Sequence, residues 1–222
     1  MTDAAAVPFT VALIDLDGTI TDSAPGILAT LAHTLRLMGL PVPAPAELVA
    51  FVGPPILDGF RDVIGLNPEQ SARALQYYRE RYRVTGAFDS RVYEGVPAML
   101  DALRTSLPLA VATSKPEHIA RQILAHFSLT DRFVVIAGAS EDETRSAKHE
   151  VITWALAQLR DQGVDTSRPV MIGDRSHDVH GARVHGIPTI FAGWGYGAAE
   201  EAVGTLAIAH RPGEVAALVS AL

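Results

Sequence analysis

Val11-Ala12-Leu13-Ile14-Asp15-Leu16-Asp17-Gly18-Thr19 is the stretch on which the fold turns. Its first four residues are an apolar run, which suits a strand buried on both faces. The two aspartates come where that run ends. Residues two apart on a strand face the same way, so Asp15 and Asp17 leave the C-terminal edge of a sheet together, where open α/β folds bind ligands. Gly18 permits a tight exit and lets backbone N–H groups approach an anion. Carboxylates this close repel each other unless a cation sits between them or one keeps a proton. An Asp-Gly pair alone marks only a turn; the strand before it and the second acid make the segment a candidate for chemistry.

Further apolar runs alternate with helical patterns after residue 90, the βαβ signature of a parallel sheet. Strands are expected over Thr10 to Leu16, Leu109 to Thr113, Phe133 to Gly138, Val170 to Ile172 and Thr189 to Ala192. Between them, Glu117 to Phe127 and Lys148 to Gln162 read as helices, the latter with apolar positions at Val151, Ala155 and Leu159. Residues 23–90 interrupt this rhythm and read as helical, with Gly39 to Pro45 and Gly53-Pro54-Pro55 breaking the helices between them. Leu28, Leu31, Leu35 and Met38 recur at helical spacing behind Pro25. Asn67-Pro68 is an N-cap followed by proline at the first helical position, with Leu75, Tyr78 and Tyr82 continuing that second pattern. The expected architecture is an α/β Rossmann-like core with a parallel sheet, built from residues 1–22 and 91–222, and a small helical cap over 23–90.

Composition narrows the function. The 222 residues are 48% hydrophobic, enough for a buried core. A formal charge of -7 gives no reason to expect nucleic acid or an anionic membrane as partner, so an anionic substrate would need a local cationic pocket. Cysteine is absent, which excludes disulfides, thiolate metal sites and cysteine nucleophiles. The N-terminus has neither the basic start nor the apolar stretch of a secretory signal, and no apolar run approaches membrane-spanning length. A cytoplasmic location is expected. Of 18 basic residues only Lys115 and Lys148 are lysine. A compositional bias accounts for the missing lysines but not for the two that remain.

Three more segments carry chemistry. Val170-Met171-Ile172-Gly173-Asp174 repeats the pattern of an apolar strand ending in an acid, with Asp178 four positions on. If both strands end at one sheet edge, Asp174 joins Asp15 and the backbone carbonyl of Asp17 as hard oxygen ligands for Mg²⁺. Asp178 has two readings: holding a metal-bound water from outside the ligand set, or capping the helix behind Ser176. Leu109 to Thr113 is a third strand ending in polar groups, and Thr113 and Ser114 before a helix suit phosphate oxygens. A lysine would balance the charge there. Lys148, at a helix start, is favoured; Lys115 lies beside the site or caps a neighbouring carbonyl. His177 and His180 stand three apart, but with no third nitrogen or sulfur ligand nearby zinc is set aside.

Together these residues resemble the haloacid dehalogenase-like superfamily: Asp15-x-Asp17-Gly18-Thr19 is similar to its first motif, Thr113-Ser114 to its second, Lys148 to its third and Gly173-Asp174-x-x-x-Asp178 to its fourth. Phe51-Val52-Gly53-Pro54-Pro55 and Trp194-Gly195-Tyr196-Gly197 resemble phosphoglycolate phosphatase and 5′-nucleotidase-like members. Lys148 lies in Arg145-Ser146-Ala147-Lys148-His149, without the Gly-Lys-Pro context common in that family. Asp17 sets the chain apart from the dehalogenases themselves. The resemblance implies a Mg²⁺-dependent hydrolase of a small phosphorylated metabolite, with no nucleic acid or membrane partner. Asp15 would be the nucleophile and Asp17 the general acid and base. Asp15, Asp17 and Asp174 would hold the metal, with Asp178 behind them. Gly18, Thr113, Ser114 and Lys148 would hold the phosphate. A phosphosugar mutase would share all these residues, and a phosphoaspartate signalling or binding protein many of them. Candidates for selectivity are Phe51 to Pro55 and Arg61, with Trp194 and Tyr196 either meeting a leaving group or serving as packing.

Overall fold

The computed structural model describes residues 8–222. The expectation about a leader peptide rests largely on the seven residues before these and lies outside the described residues. In chain order the strands are β1 (Val11–Ile14), β2 (Thr21–Asp22), β3 (Arg91–Val92), β4 (Leu109–Pro116), β5 (Val135–Ala139), β6 (Pro169–Gly173), β7 (Thr189–Ala192) and β8 (Ala207–Ala209). The helices are α1 (Ala24–Leu37), α2 (Pro45–Leu48), α3 (Ile56–Asp62), α4 (Pro68–Arg81), α5 (Val96–Leu103), α6 (Glu117–His126), α7 (Lys148–Asp161), α8 (Ser176–Val184) and α9 (Val215–Ala221). Among the described residues no helix is long and apolar enough to cross a membrane.

Six strands form one parallel sheet in the order β5-β4-β1-β6-β7-β8. The strand order reverses around β1, which lies between β4 and β6, so a crevice opens at the C-terminal ends of these three strands. Ile14 aligns with Val111 on one side and Ile172 on the other. The acids that follow β1 and β6 are therefore brought level, while β4 carries Thr113, Ser114 and Lys115 beyond the point where β1 ends. Alternation along β1 feeds two cores. Val11 and Leu13 join the layer built on Val151, Ile152, Ala155 and Leu159 of α7, whereas Ala12 and Ile14 join the other layer, which contains Leu100 of α5 and Ile123 of α6.

That second layer is continuous with Leu31 and Leu35 of α1 and Phe60 of α3. β2 and β3 pair antiparallel, Thr21 with Val92 and Asp22 with Arg91, and close the neck of the helical segment between them. Helix α4 begins as its sequence requires. Asn67 Oδ1 accepts from Gln70 N at 2.9 Å, Gln70 Oε1 accepts from Asn67 N at 3.0 Å, and Pro68 takes the first turn. A π-helical turn, Tyr82–Gly86, follows α4.

Several expected bounds shift. Leu16 is not in β1: its carbonyl accepts from the backbone N–H groups of Ile20 and Thr21, so the chain has already turned. β4 runs on to Pro116 through a register shift between Ala112 and Pro116, and β5 starts at Val135 because Thr130–Arg132 form a 3₁₀ turn. Within residues 23–90 the helices break where glycine and proline cluster: Leu40 to Ala44 and Gly53 to Pro55 are loops. Three short strands escape periodicity altogether: β2 and β3 have two residues each and β8 is Ala-Ile-Ala.

Candidate active site

The crevice gathers an unusual concentration of buried polar groups: Asp15, Asp17, Thr113, Ser114, Lys115, Lys148, Asp174 and Asp178. Buried charges require partners, and two ion-pair systems provide them. Lys148 Nζ lies 2.8 Å from Asp15 Oδ1 and 2.7 Å from Asp178 Oδ1, and donates to the Ala112 carbonyl at 3.0 Å. Lys115 Nζ lies 2.9 Å from Asp17 Oδ2, donates to the Tyr82 hydroxyl at 2.7 Å and sits 4.7 Å from that ring's centroid. Lys115 therefore lies beside the site, and it is Lys148 that bonds a strand carbonyl. Lys148 is held between the two acids and the Ala112 carbonyl and so neutralises the acids; direct contact with a phosphate oxygen would require one partner to let go.

Local structure explains the placement. Asp15 N donates to the Ile172 carbonyl at 2.9 Å, which ties the acid to β6 as well as β1. Asp174 Oδ1 accepts from Thr19 Oγ1 at 3.0 Å and Asp174 Oδ2 from Tyr196 N at 2.8 Å. Gly18 has φ +81°, and a Cβ there would lie 2.2 Å from Asp174 Oδ2. Only glycine lets the first loop close over Asp174. Lys148 starts α7 because Glu150 Oε2 accepts from the backbone of Ser146 and Ala147, each at 3.1 Å, and its side chain passes under Gly181, whose Cβ would lie 2.7 Å from Lys148 Cγ.

Electrostatics point to a cation. Asp15, Asp174 and Asp178 each present a carboxylate oxygen within 4.8 Å of the others, and all three are buried. Burial pushes the Asp15 carboxyl up to about 7, against the pull of Lys148 and with help from Asp178. Burial, then Asp178 and Asp15, hold the Asp174 carboxyl well above the usual range. Burial opposes charge on Lys148 too, but Asp15 and Asp178 outweigh it and raise that ammonium above its ordinary value. Four buried acids face two lysines, an excess of two negative charges that one divalent cation would balance. Hard carboxylate oxygens suit Mg²⁺, and Asp17 Oδ1 is buried with no hydrogen-bond partner among the described residues.

Asp178 Oδ2 takes the capping role at α8 by accepting from Arg175 N at 3.0 Å, while Oδ1 faces Lys148. Ser114 Oγ is buried without a partner among the described residues, and Thr113 Oγ1 accepts only a long bond from Lys115 N at 3.3 Å. Both hydroxyls can still donate. Trp194 and Tyr196 take the packing role: Trp194 Nε1 donates to the Thr19 carbonyl at 3.0 Å, and the Tyr196 hydroxyl donates to Asp22 Oδ1 at 2.6 Å and accepts from Ala24 N at 2.9 Å. Arg61 is exposed, pairs with Asp58 and Asp62, and is not among the residues that line the cavity beside Asp17. His177 and His180 are not in the acidic cluster.

The sequence places Tyr82 only in a helical pattern, with no link to Lys115. It also gives no role to Thr19, although that residue lies inside the quoted motif, or to Arg175. The Arg175 guanidinium donates to the Val52 carbonyl, and its Nε lies 3.1 Å from Glu201 Oε2. These are long-range contacts; for Thr19 alone a signal existed, in its position beside the turning glycine.

Comparison with known proteins agrees with this geometry. Residues 12–192 match the family model described as haloacid dehalogenase-like hydrolase. The chain is 47% identical over 189 residues to a protein of Mycobacterium tuberculosis named tyrosine-protein kinase PtkA, covering 85% of this chain and 63% of that one. It therefore spans less than two thirds of that relative's length. It is 39% identical to a 5′-nucleotidase of Pseudomonas aeruginosa, covering 95% and 92% of the two chains. A solved structure described as a predicted phosphatase from Clostridium acetobutylicum superposes with a TM-score of 0.91 at 35% identity, covering 97% and 100%. A parallel sheet that reverses at an acidic first loop, matched over most of its length by that family's model, leaves one assignment: the chain belongs to the haloacid dehalogenase-like hydrolase family.

Proposed function

We propose that the chain is a magnesium-dependent phosphomonoesterase that works through an aspartyl-phosphate on Asp15. The observation that carries the reading is the division of labour between the two lysines. Lys148 holds Asp15 and Lys115 holds Asp17, 2.8 and 2.9 Å away, so two neighbouring acids sit in distinct charge environments. Such separation suits one acid for attack and the other for proton transfer.

In the first step Asp15 attacks phosphorus as the bond to the leaving oxygen breaks, and Asp17 gives that oxygen its proton. In the second, Asp17 takes a proton from water, which attacks the acyl phosphate and releases inorganic phosphate with Asp15 restored. Thr113 and Ser114 donate to the phosphoryl oxygens, and Lys148 supplies charge. Asp15 and Asp174, with the Asp17 carbonyl, would hold Mg²⁺, which when bound neutralises phosphoryl charge and favours the ionised form of Asp15. Asp178 steadies Lys148.

Residues 23–90 act as a cap in this reading. Polar contacts that join it to the core include Lys115 with Tyr82, Arg79 with Glu143 and the Glu141 carbonyl, Arg175 with the Val52 carbonyl, and Ala24 N with the Tyr196 hydroxyl. Closure excludes water from the first step, and opening admits it and releases product. Hydrolysis of p-nitrophenyl phosphate, assayed with magnesium and again with EDTA, tests the proposal. Metal-dependent release of phosphate is expected, and equal rates in both would refute the metal's role.

The 47% identity to a protein named a tyrosine-protein kinase favours a second reading, in which a hydroxyl replaces water as the acceptor. ATP labelled in its γ-phosphate separates the two. Label in inorganic phosphate supports hydrolysis, and label on a tyrosine of added protein supports transfer.

A further inference from the structure

A cavity of about 230 Å³ extends from Asp17, Ser114 and Lys115 outward beneath the cap. Its walls include Ile27, Phe51, Ile56, Leu75 and Tyr78 from the cap side, with Ile119 of α6 facing them. The aromatic walls are held in place: Phe51 meets Phe60 edge-on at 5.6 Å between ring centroids, and Tyr78 stacks on Tyr82 at 5.1 Å. None of this apolar surface is used by the phosphoryl chemistry.

Apart from Arg83, the basic groups on the lining each face an acid. Lys115 is paired with Asp17, Arg79 with Glu143, and His118 Nδ1 lies 3.1 Å from Glu141 Oε1. Arg83, exposed at the mouth, is the cation on this lining without an acid partner among the described residues. A leaving group that carries a carboxylate would have to be desolvated beside Glu141 and Glu143 or displace one of them from its partner. A two-carbon alcohol would also leave most of the apolar wall in contact with water. A flat, uncharged body would cover it.

We propose that this cavity is a leaving-group subsite for a flat, uncharged alcohol, a nucleoside or an aryl alcohol, and that it disfavours short acid-bearing esters such as phosphoglycolate. The inference rests on the phosphomonoesterase reading for its place beside the phosphate site, but binding tests it separately from turnover. Calorimetry on the Asp15→Asn variant with magnesium should find adenosine monophosphate or 1-naphthyl phosphate binding roughly a hundredfold more tightly than phosphoglycolate, the scale of discrimination an apolar pocket supplies. The specificity constants of the unaltered protein should rank the same way. Ile56→Arg, at a half-buried wall position, should narrow the ratio at least about tenfold by weakening the flat esters. Arg83→Ala should leave the ratio unchanged. Equal or tighter binding of phosphoglycolate overturns the subsite, as does an Arg83→Ala variant that selectively loses acid-bearing esters. Preferential binding of the flat esters with no turnover of any ester would sustain the subsite and sink the phosphomonoesterase reading instead.

Discussion

The two sides of the crevice are built on opposite principles. On the core side, four acids and two lysines are buried together, and their spacing is set by three adjacent parallel strands whose register is fixed by the sheet. On the cap side the surface is mainly apolar and aromatic, and it reaches the charged cluster through one buried hydroxyl, that of Tyr82. Charged groups hold their geometry only where the scaffold cannot adjust, whereas apolar walls tolerate changes of size. On the proposed reading, reaction chemistry belongs to the core and selectivity to the cap. The comparison breaks if core substitutions alter preference without altering rate, or if cap substitutions abolish chemistry.

The largest effect expected is on the nucleophile. Asp15→Asn keeps the side chain's size and should lower turnover of p-nitrophenyl phosphate by about 10⁴-fold or more, with a far-ultraviolet circular dichroism spectrum like that of the parent. Lys148→Ala comes next, because it strands Asp15 and Asp178 as buried, uncompensated acids. Chemical denaturation should find it less stable by roughly 3–5 kcal/mol, the usual cost of breaking a buried pair, with magnesium restoring part of the loss.

Smaller, and specific to the core side, is a pH effect on the metal-free protein. Burial raises the folded-state Asp15 carboxyl to about 7, and Asp174 shifts the same way. The folded state therefore keeps protons that the unfolded chain releases. Stability is full below the unfolded value, near 3.8, and falls as pH rises towards 7. Melting temperatures in EDTA should drop across that window, and the increment produced by magnesium should be larger at pH 8 than at pH 5. The smallest effect is on the bridge between the halves. Tyr82→Phe removes one hydrogen bond to Lys115 but keeps the ring beneath it, so stability should fall by about 1 kcal/mol and the turnover number by only a few-fold. Tyr82→Ala should cost more of both, since the stack on Tyr78 goes with it.

The same division decides what could be read before the structure. Asp15, Asp17 and Asp174 were legible because strand exits are local: an apolar run that ends in an acid, with a glycine close by. Lys148 stood out as one of two lysines in a chain that otherwise uses arginine. Its exact duty was not legible, because the Ala112 carbonyl and Asp178 that it meets lie 36 and 30 positions away in different elements. Lys115 and Tyr82, 33 positions apart, meet only through the docking of the cap on the core, which no periodicity encodes. Strands of two or three residues, such as β2, β3 and Ala207–Ala209, carry too little pattern to detect and owe their existence to neighbours already in position.

Trapping the acyl phosphate tests the central claim most directly. The protein is mixed with p-nitrophenyl phosphate and magnesium, quenched within a turnover and reduced with borohydride, and its peptides are analysed by mass spectrometry. The account predicts homoserine in place of aspartate at position 15 and nowhere else. Homoserine at another acid, or its absence from a preparation that demonstrably turns over, would contradict it.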